Sequence, residues 1–148
     1  MKKQSEVINS MKICFDAISC NESFARQTVC AFASQLDPTL EELSDIRVIV
    51  SEAVTNAVVH AYKLSPGKIW ISAESTSDRR LKVKIKDKGC GIEDIEMAVQ
   101  PLYTTDTSGE RGGMGFAIMK AFSEKFTVKS SPGKGTTVSF EIRLDSSR

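Results

Sequence analysis

The chain has 148 residues, with 20 Lys and Arg against 19 Asp and Glu for a formal net charge of +1. That length suits one domain with a core of its own and excludes a second catalytic domain. A near-neutral balance supplies no global basic field, which argues against direct nucleic-acid binding and against an electrostatic membrane anchor. From the N-terminus, Met1-Lys2-Lys3 passes into polar Gln4, Ser5 and Glu6, and residues 1–10 read as an N-terminal extension to a single domain over 11–148. Met11 to Ile18 suits a first strand. Asn21 then offers an N-cap to a helix with Phe24, Thr28, Phe32 and Leu36 on its buried face and Arg26 on the opposite, exposed side. This helix is expected to end near Asp37-Pro38. Thr39 and Glu42 have the capping-box spacing and open a long helix that stops near Ser65-Pro66-Gly67.

Within that second helix, Glu52, Asn56 and His60 recur every fourth residue, so they stack one turn apart on a surface otherwise built of Ile46, Ile49, Val50, Ala53, Val54, Ala57 and Val58. A carboxylate beside so much apolar surface is costly unless it has a partner, a metal or a catalytic use. His60 reads as a packed helix residue rather than a base. Ile69-Trp70-Ile71 and the alternating run Leu81 to Lys86 then suggest two strands joined by a turn at Ser77-Asp78-Arg79, with one face wet. A short helix is expected over Glu93 to Val99, a turn-rich stretch from Pro101 to Gly113, an amphipathic helix with Phe116, Met119, Ala121 and Phe122, and two last strands flanking Ser131 to Gly135. The order of elements predicts an α+β fold, a two-layer sandwich with helices packed on one face of a mixed β-sheet.

Cys14, Cys20, Cys30 and Cys90 show no Cys-x-x-Cys pairing, and a single histidine completes no usual zinc spacing with them. They read as reduced thiols of a soluble, cytoplasmic protein, and no segment approaches a membrane-spanning length. Glycines mark three places. Asp87-x-Gly89-x-Gly91 closes a strand with a carboxylate and a backbone that a ligand can approach. Arg111-Gly112-Gly113-Met114-Gly115 leads into a helix, whose free N–H groups favour an anion such as phosphate. Gly135-Thr136-Thr137 opens the last strand with hydroxyls.

Together these segments resemble the nucleotide-binding boxes of the superfamily of gyrase, Hsp90, histidine kinases and MutL. Glu52 to His60 is similar to its N box, Asp87 to Gly91, Gly113 to Gly115 and Gly135 to Thr137 to its three glycine boxes. Asn21 to Arg26, Gln35 to Thr39, Ser51 to Ala57 and Gln100 to Thr105 resemble one branch in particular, the sporulation anti-sigma F factors, which are serine kinases. The resemblance runs from about Met11 to Leu144. It implies a Bergerat-type ATP-binding fold with ATP and Mg2+ as cofactors. By it, Asp87 and Thr136 recognise adenine, Gly89 and Gly91 keep the loop slim, and the amides of Gly113, Met114 and Gly115 face the phosphates. Asn56 holds Mg2+, Glu52 orients or deprotonates the attacking hydroxyl, and Arg111 neutralises the γ-phosphate. Arg26 then lies on a surface that docks a sigma factor and, in competition, an anti-anti-sigma protein phosphorylated on serine, in a homodimer. The sole histidine, lying inside the N box, argues against a histidine kinase, and the length argues against the multidomain ATPases. The alternative is a stress-type anti-sigma binding switch with little or no kinase activity.

Overall fold

The computed structural model describes residues 5–92 and 115–144. The expected helix over Glu93 to Val99, the turn-rich stretch after it, and Arg111, Gly113 and Met114 lie outside the described residues. Five strands form one sheet in the order β1-β2-β3-β5-β4: β1 (Val7–Asp16), β2 (Lys68–Thr76), β3 (Arg80–Asp87), β4 (Lys125–Ser131) and β5 (Gly135–Arg143). Helices α1 (Asn21–Ala33), α2 (Leu40–Thr55) and α3 (Gly115–Phe122) cover one face. None of the helices among the described residues is long and apolar enough to cross a membrane.

The sheet is antiparallel in all four pairings rather than mixed. Tight turns join β2 to β3 and β4 to β5, which forces antiparallel neighbours. Two helices, not one, separate β1 from β2, so the chain does not return by the single crossover that parallel strands need. β1 also starts at Val7 rather than Met11, because Val7 to Ser10 already lie against Thr76 to Glu74. Part of the expected extension is therefore strand.

Alternation decides which side of the sheet is covered. Leu81, Val83 and Ile85 are buried beneath the helices, while Lys82, Lys84 and Lys86 are exposed on the other face. Ile69, Ile71, Val138, Phe140 and Ile142 extend the inner face into neighbouring strands, and Ile46, Ile49, Val50 and Val54 of α2 lie on it. Full burial of such a side chain contributes about 1.5–3 kcal/mol.

Helix α2 opens on the expected capping box: the Glu42 amide donates to Thr39 Oγ1 at 3.1 Å, and the Thr39 amide donates to Glu42 Oε1 at 2.8 Å. Helix α1 differs from expectation at both its start and its faces. Asn21 is its first residue, and the amide nitrogen of its side chain donates to the Asp16 carbonyl at 2.9 Å instead of capping. Ala25, Val29, Phe32 and Ala33 are buried, whereas Phe24 is 48% exposed and meets Phe15 edge-on at 5.8 Å. Small residues at this spacing let α1 approach α2 closely, so bulk was a poor guide to the inner face. A short 3-10 turn, Ser34–Leu36, ends the helix at Asp37, whose φ of 51° is the left-handed conformation common at helix C-termini, and Pro38 follows, where a helix cannot continue.

Candidate functional site

Helix α2 does not run on as an α-helix to His60. From Asn56 to Ala61 the backbone is π-helical, and the Tyr62 amide donates to the Ala57 carbonyl five residues back at 3.0 Å. Single π-turns inside α-helices are uncommon and often lie at functional sites. Glu52 and Asn56 keep α-helical register, since the Asn56 amide reaches the Glu52 carbonyl. His60 lies inside this π-turn, half-buried, with its carbonyl accepting from the Cys90 thiol at 3.4 Å.

The N-terminus of α3 stands over that pair. A Cβ on Gly115 would lie 3.1 Å from Asn56 Nδ2, 3.2 Å from Asn56 Oδ1 and 3.2 Å from Glu52 Oε2. Side-chain polar atoms of Glu52 and Asn56 therefore converge on Gly115, the first described residue of α3. Oxygen donors so placed suit a hard cation together with the phosphates it accompanies.

A second cluster sits where β3 ends. Asp87 is buried and faces Thr136 across the β3–β5 ladder. Its Oδ1 accepts from the Gly89 amide at 2.9 Å and from the Thr136 amide at 3.3 Å. Burial pushes the Asp87 carboxyl above its usual range, and the two amide bonds oppose that rise. The Thr136 hydroxyl lies 2.8 Å from Ser130 Oγ, which also donates to the Gly135 carbonyl at 3.0 Å and accepts from the Ile92 amide at 2.8 Å. Ser130 was not singled out in the sequence, although it shares the inner face of β4 with Phe126 and Val128 and so could have been found by alternation.

The glycines of this loop make room for protein as well as for a ligand. A Cβ on Gly89 would meet the Ala61 carbonyl oxygen at 2.5 Å, and one on Gly91, at φ +76°, would collide with the Ser131 carbonyl. Between them the Cys90 amide donates to the Ala61 carbonyl at 2.9 Å, and the Cys90 carbonyl accepts from the Gly133 amide at 2.7 Å. It is the backbone of Cys90 that ties the loop to the π-turn on one side and the β4–β5 hairpin on the other.

Arg26 is not on an open face. It is half-buried against α2, with Nη1 donating to Ser51 Oγ at 3.4 Å and lying 3.7 Å from Glu22 Oε1. Thr55 Oγ1 lies 3.1 Å from Glu22 Oε2. Ser51 and Thr55, which the sequence reading passed over, place this network one residue before Glu52 and one before Asn56.

Residues 41–146 match the family model of the histidine kinase-, DNA gyrase B- and HSP90-like ATPases. An anti-sigma F factor of Shouchella clausii is 51% identical over 141 residues, covering 95% of this chain and 96% of its own. One from Clostridium acetobutylicum is 51% identical over 130 residues, covering 88% and 90%. Among solved structures, the RsbU and RsbW domains of a Mycobacterium tuberculosis protein superpose with a TM-score of 0.65 at 20% identity, over 92% of this chain and 32% of that one. The catalytic domain of the histidine kinase ThkA gives 0.55 at 17% identity, over 93% and 97%. At such identities the structural likeness speaks to the fold.

Proposed function

Because the chain belongs to the histidine kinase-, DNA gyrase B- and HSP90-like ATPase family and, within it, to the anti-sigma F factors, we propose that it holds a sigma factor inactive when loaded with ATP and phosphorylates a serine of an anti-anti-sigma protein. The observation that carries the kinase half of this reading is the convergence of Glu52 and Asn56 on the first residue of α3.

In this reading Asp87 accepts from the exocyclic amino group of adenine. Both amide bonds to the carboxylate fall on Oδ1, which leaves Oδ2 for the base. Asn56 would hold Mg2+ through its side-chain oxygen. No group of three or more His, Cys, Asp or Glu among the described residues could hold a metal alone, so phosphate and water would complete the coordination. Bound there, Mg2+ neutralises charge on the transferring phosphoryl group. Glu52, beside Asn56, orients the serine hydroxyl and takes up its proton, and the α3 amides with Gly113, Met114 and Arg111 face the phosphates. Arg26, at the α1–α2 seam, contributes to partner docking, and the working unit is a cytoplasmic homodimer.

Transfer of labelled γ-phosphate from Mg-ATP to the anti-anti-sigma protein tests this directly. Wild type is expected to yield phosphoserine, and Glu52→Gln to bind ATP normally while transfer falls by about 100-fold or more, the range for a lost general base. Undiminished transfer by Glu52→Gln would remove Glu52 from the chemistry. ATP binding without transfer by wild type would instead support a binding switch with little kinase activity.

A further inference from the structure

The β2–β3 ladder pairs Ser75 with Leu81 through to Ile69 with Asp87. Continued by one residue, the same register would set Lys68 opposite Lys88. A phenol occupies that place. Tyr62 Oη donates to the Lys68 carbonyl at 2.5 Å and accepts from the Lys88 amide at 2.7 Å, so it stands between two backbones that would otherwise bond to each other. The strands part there, immediately after Asp87.

Four further observations make this wedge rigid. The Tyr62 ring fills the space beside Gly67, where a Cβ would fall within 2.6 Å of ring atoms Cδ1 and Cζ. Tyr62 follows directly on the π-turn, and the residue before it, Ala61, holds the Cys90 amide and packs on Gly89. Lys63 and Leu64, next along the chain, have φ of 52° and 65°, a left-handed conformation that non-glycine residues adopt only when their surroundings impose it. On the far side, Lys88 Nζ lies 5.0 Å from the centroid of the Trp70 ring and pins the diverted strand from outside.

Building on the nucleotide reading above, we infer that Tyr62 is a positioning residue for base recognition: its hydroxyl splays β3 from β2 and fixes the Asp87 carboxylate at the angle that selects an adenine amino group. The Gly89 amide that bonds Asp87 Oδ1 is one residue beyond the Lys88 amide that the phenol holds, so any shift of the wedge is passed to the carboxylate through a single peptide unit. The π-turn that carries Asn56 ends at this same tyrosine. The metal end and the base end of the site are thereby held by one continuous segment, 56–62.

Equilibrium binding of Mg-ATP, Mg-GTP and Mg-tripolyphosphate to the full chain, wild type and Tyr62→Phe, tests the inference, with thermal unfolding run alongside. Phenylalanine keeps the ring beside Gly67 and removes only the hydroxyl. Tyr62→Phe is expected to lose about tenfold of the ATP-over-GTP preference, the weight of one well-formed hydrogen bond, while tripolyphosphate binding stays within about twofold. An unchanged preference in Tyr62→Phe, or equal weakening of ATP and tripolyphosphate, would overturn it. Wild type that favours neither base would sink the adenine reading itself, a result distinct from either. Should Tyr62→Phe not fold, Gly67→Ala, whose Cβ displaces the ring, carries the same expectation.

Discussion

Asp87 and Thr136 stand directly opposite each other on β3 and β5, and the amide of one bonds the carboxylate of the other at 3.3 Å. A buried acid is thus held at a strand end by a neighbour whose hydroxyl is engaged elsewhere, with Ser130. Burial raises the pKa of Asp87, so the folded state retains its proton to higher pH than the unfolded chain does. Stability then falls as pH rises from the unfolded value near 3.8 through the higher folded value, and the penalty is fully present above that window.

Asp87→Asn removes the penalty while keeping an oxygen for the Gly89 and Thr136 amides. The variant is expected to unfold at a higher temperature than wild type at pH 7, with the advantage vanishing below the unfolded pKa. Its ATP affinity falls because the amide no longer offers a carboxylate to the base. Unfolding midpoints across pH, with ATP titration at pH 7, check both signs; a lower midpoint at pH 7 contradicts the electrostatic argument.

Gly115→Ala separates packing from chemistry. Gly115 is the first residue of α3, where alanine gains little of the roughly 1 kcal/mol that it holds over glycine in a helix interior, so the change is expected to leave stability near that of wild type. Its Cβ, however, arrives 3.1–3.2 Å from the polar tips of Asn56 and Glu52 and pushes them apart. Phosphoryl transfer should drop at least tenfold, near the cost of misplacing reacting groups, and the Mg2+ dependence of ATP binding should shift. Wild-type turnover in a stable Gly115→Ala protein would show that the pair does not work where it stands.

Arg26 has contacts with Ser51 and Glu22 to lose and, in the proposed function, a docking role as well. Its contact with Glu22 is a partly exposed ion pair, so Arg26→Ala is expected to cost no more than about 1 kcal/mol in chemical denaturation. Affinity for the sigma factor and the anti-anti-sigma protein should fall by about tenfold or more, as for a truncated arginine anchor, with ATP binding unchanged. Binding isotherms for both partners that overlay those of wild type would assign Arg26 to the α1–α2 seam alone.

What the sequence disclosed follows from local chemistry. Thr39 and Glu42 announce a helix start because a capping box involves four consecutive residues, and Leu81 to Lys86 announces a one-sided strand because pleating alternates side chains. Glu52 and Asn56 were legible as a pair for the same reason. The π-turn over Asn56–Ala61 went unread because its extra residue leaves no mark in hydrophobic periodicity, and Arg26 was misplaced because its surroundings are supplied by Ser51, twenty-five positions away. Tyr62 and Ser130 owe their roles to backbone groups of distant segments, Lys88 and Ile92 among them, which no spacing rule can reach. Strand directions were likewise missed: a pattern of elements shows that strands exist and leaves open which run together.

The position of β5 has a bearing on when during synthesis the protein becomes competent. This strand is the nearest of the five to the C-terminus, yet it lies inside the sheet, between β3 and β4. A ribosome-bound chain that has emerged only as far as β4 has no neighbour for the far edge of β3 and lacks Thr136 opposite Asp87. The β3–β5 pairing can therefore close only after β5 has been made, and its contacts are of the long sequence separation that slows folding. Nascent or truncated chains are left without Thr136 opposite Asp87, so if the proposed function holds, a fragment that engaged partners would do so without nucleotide control.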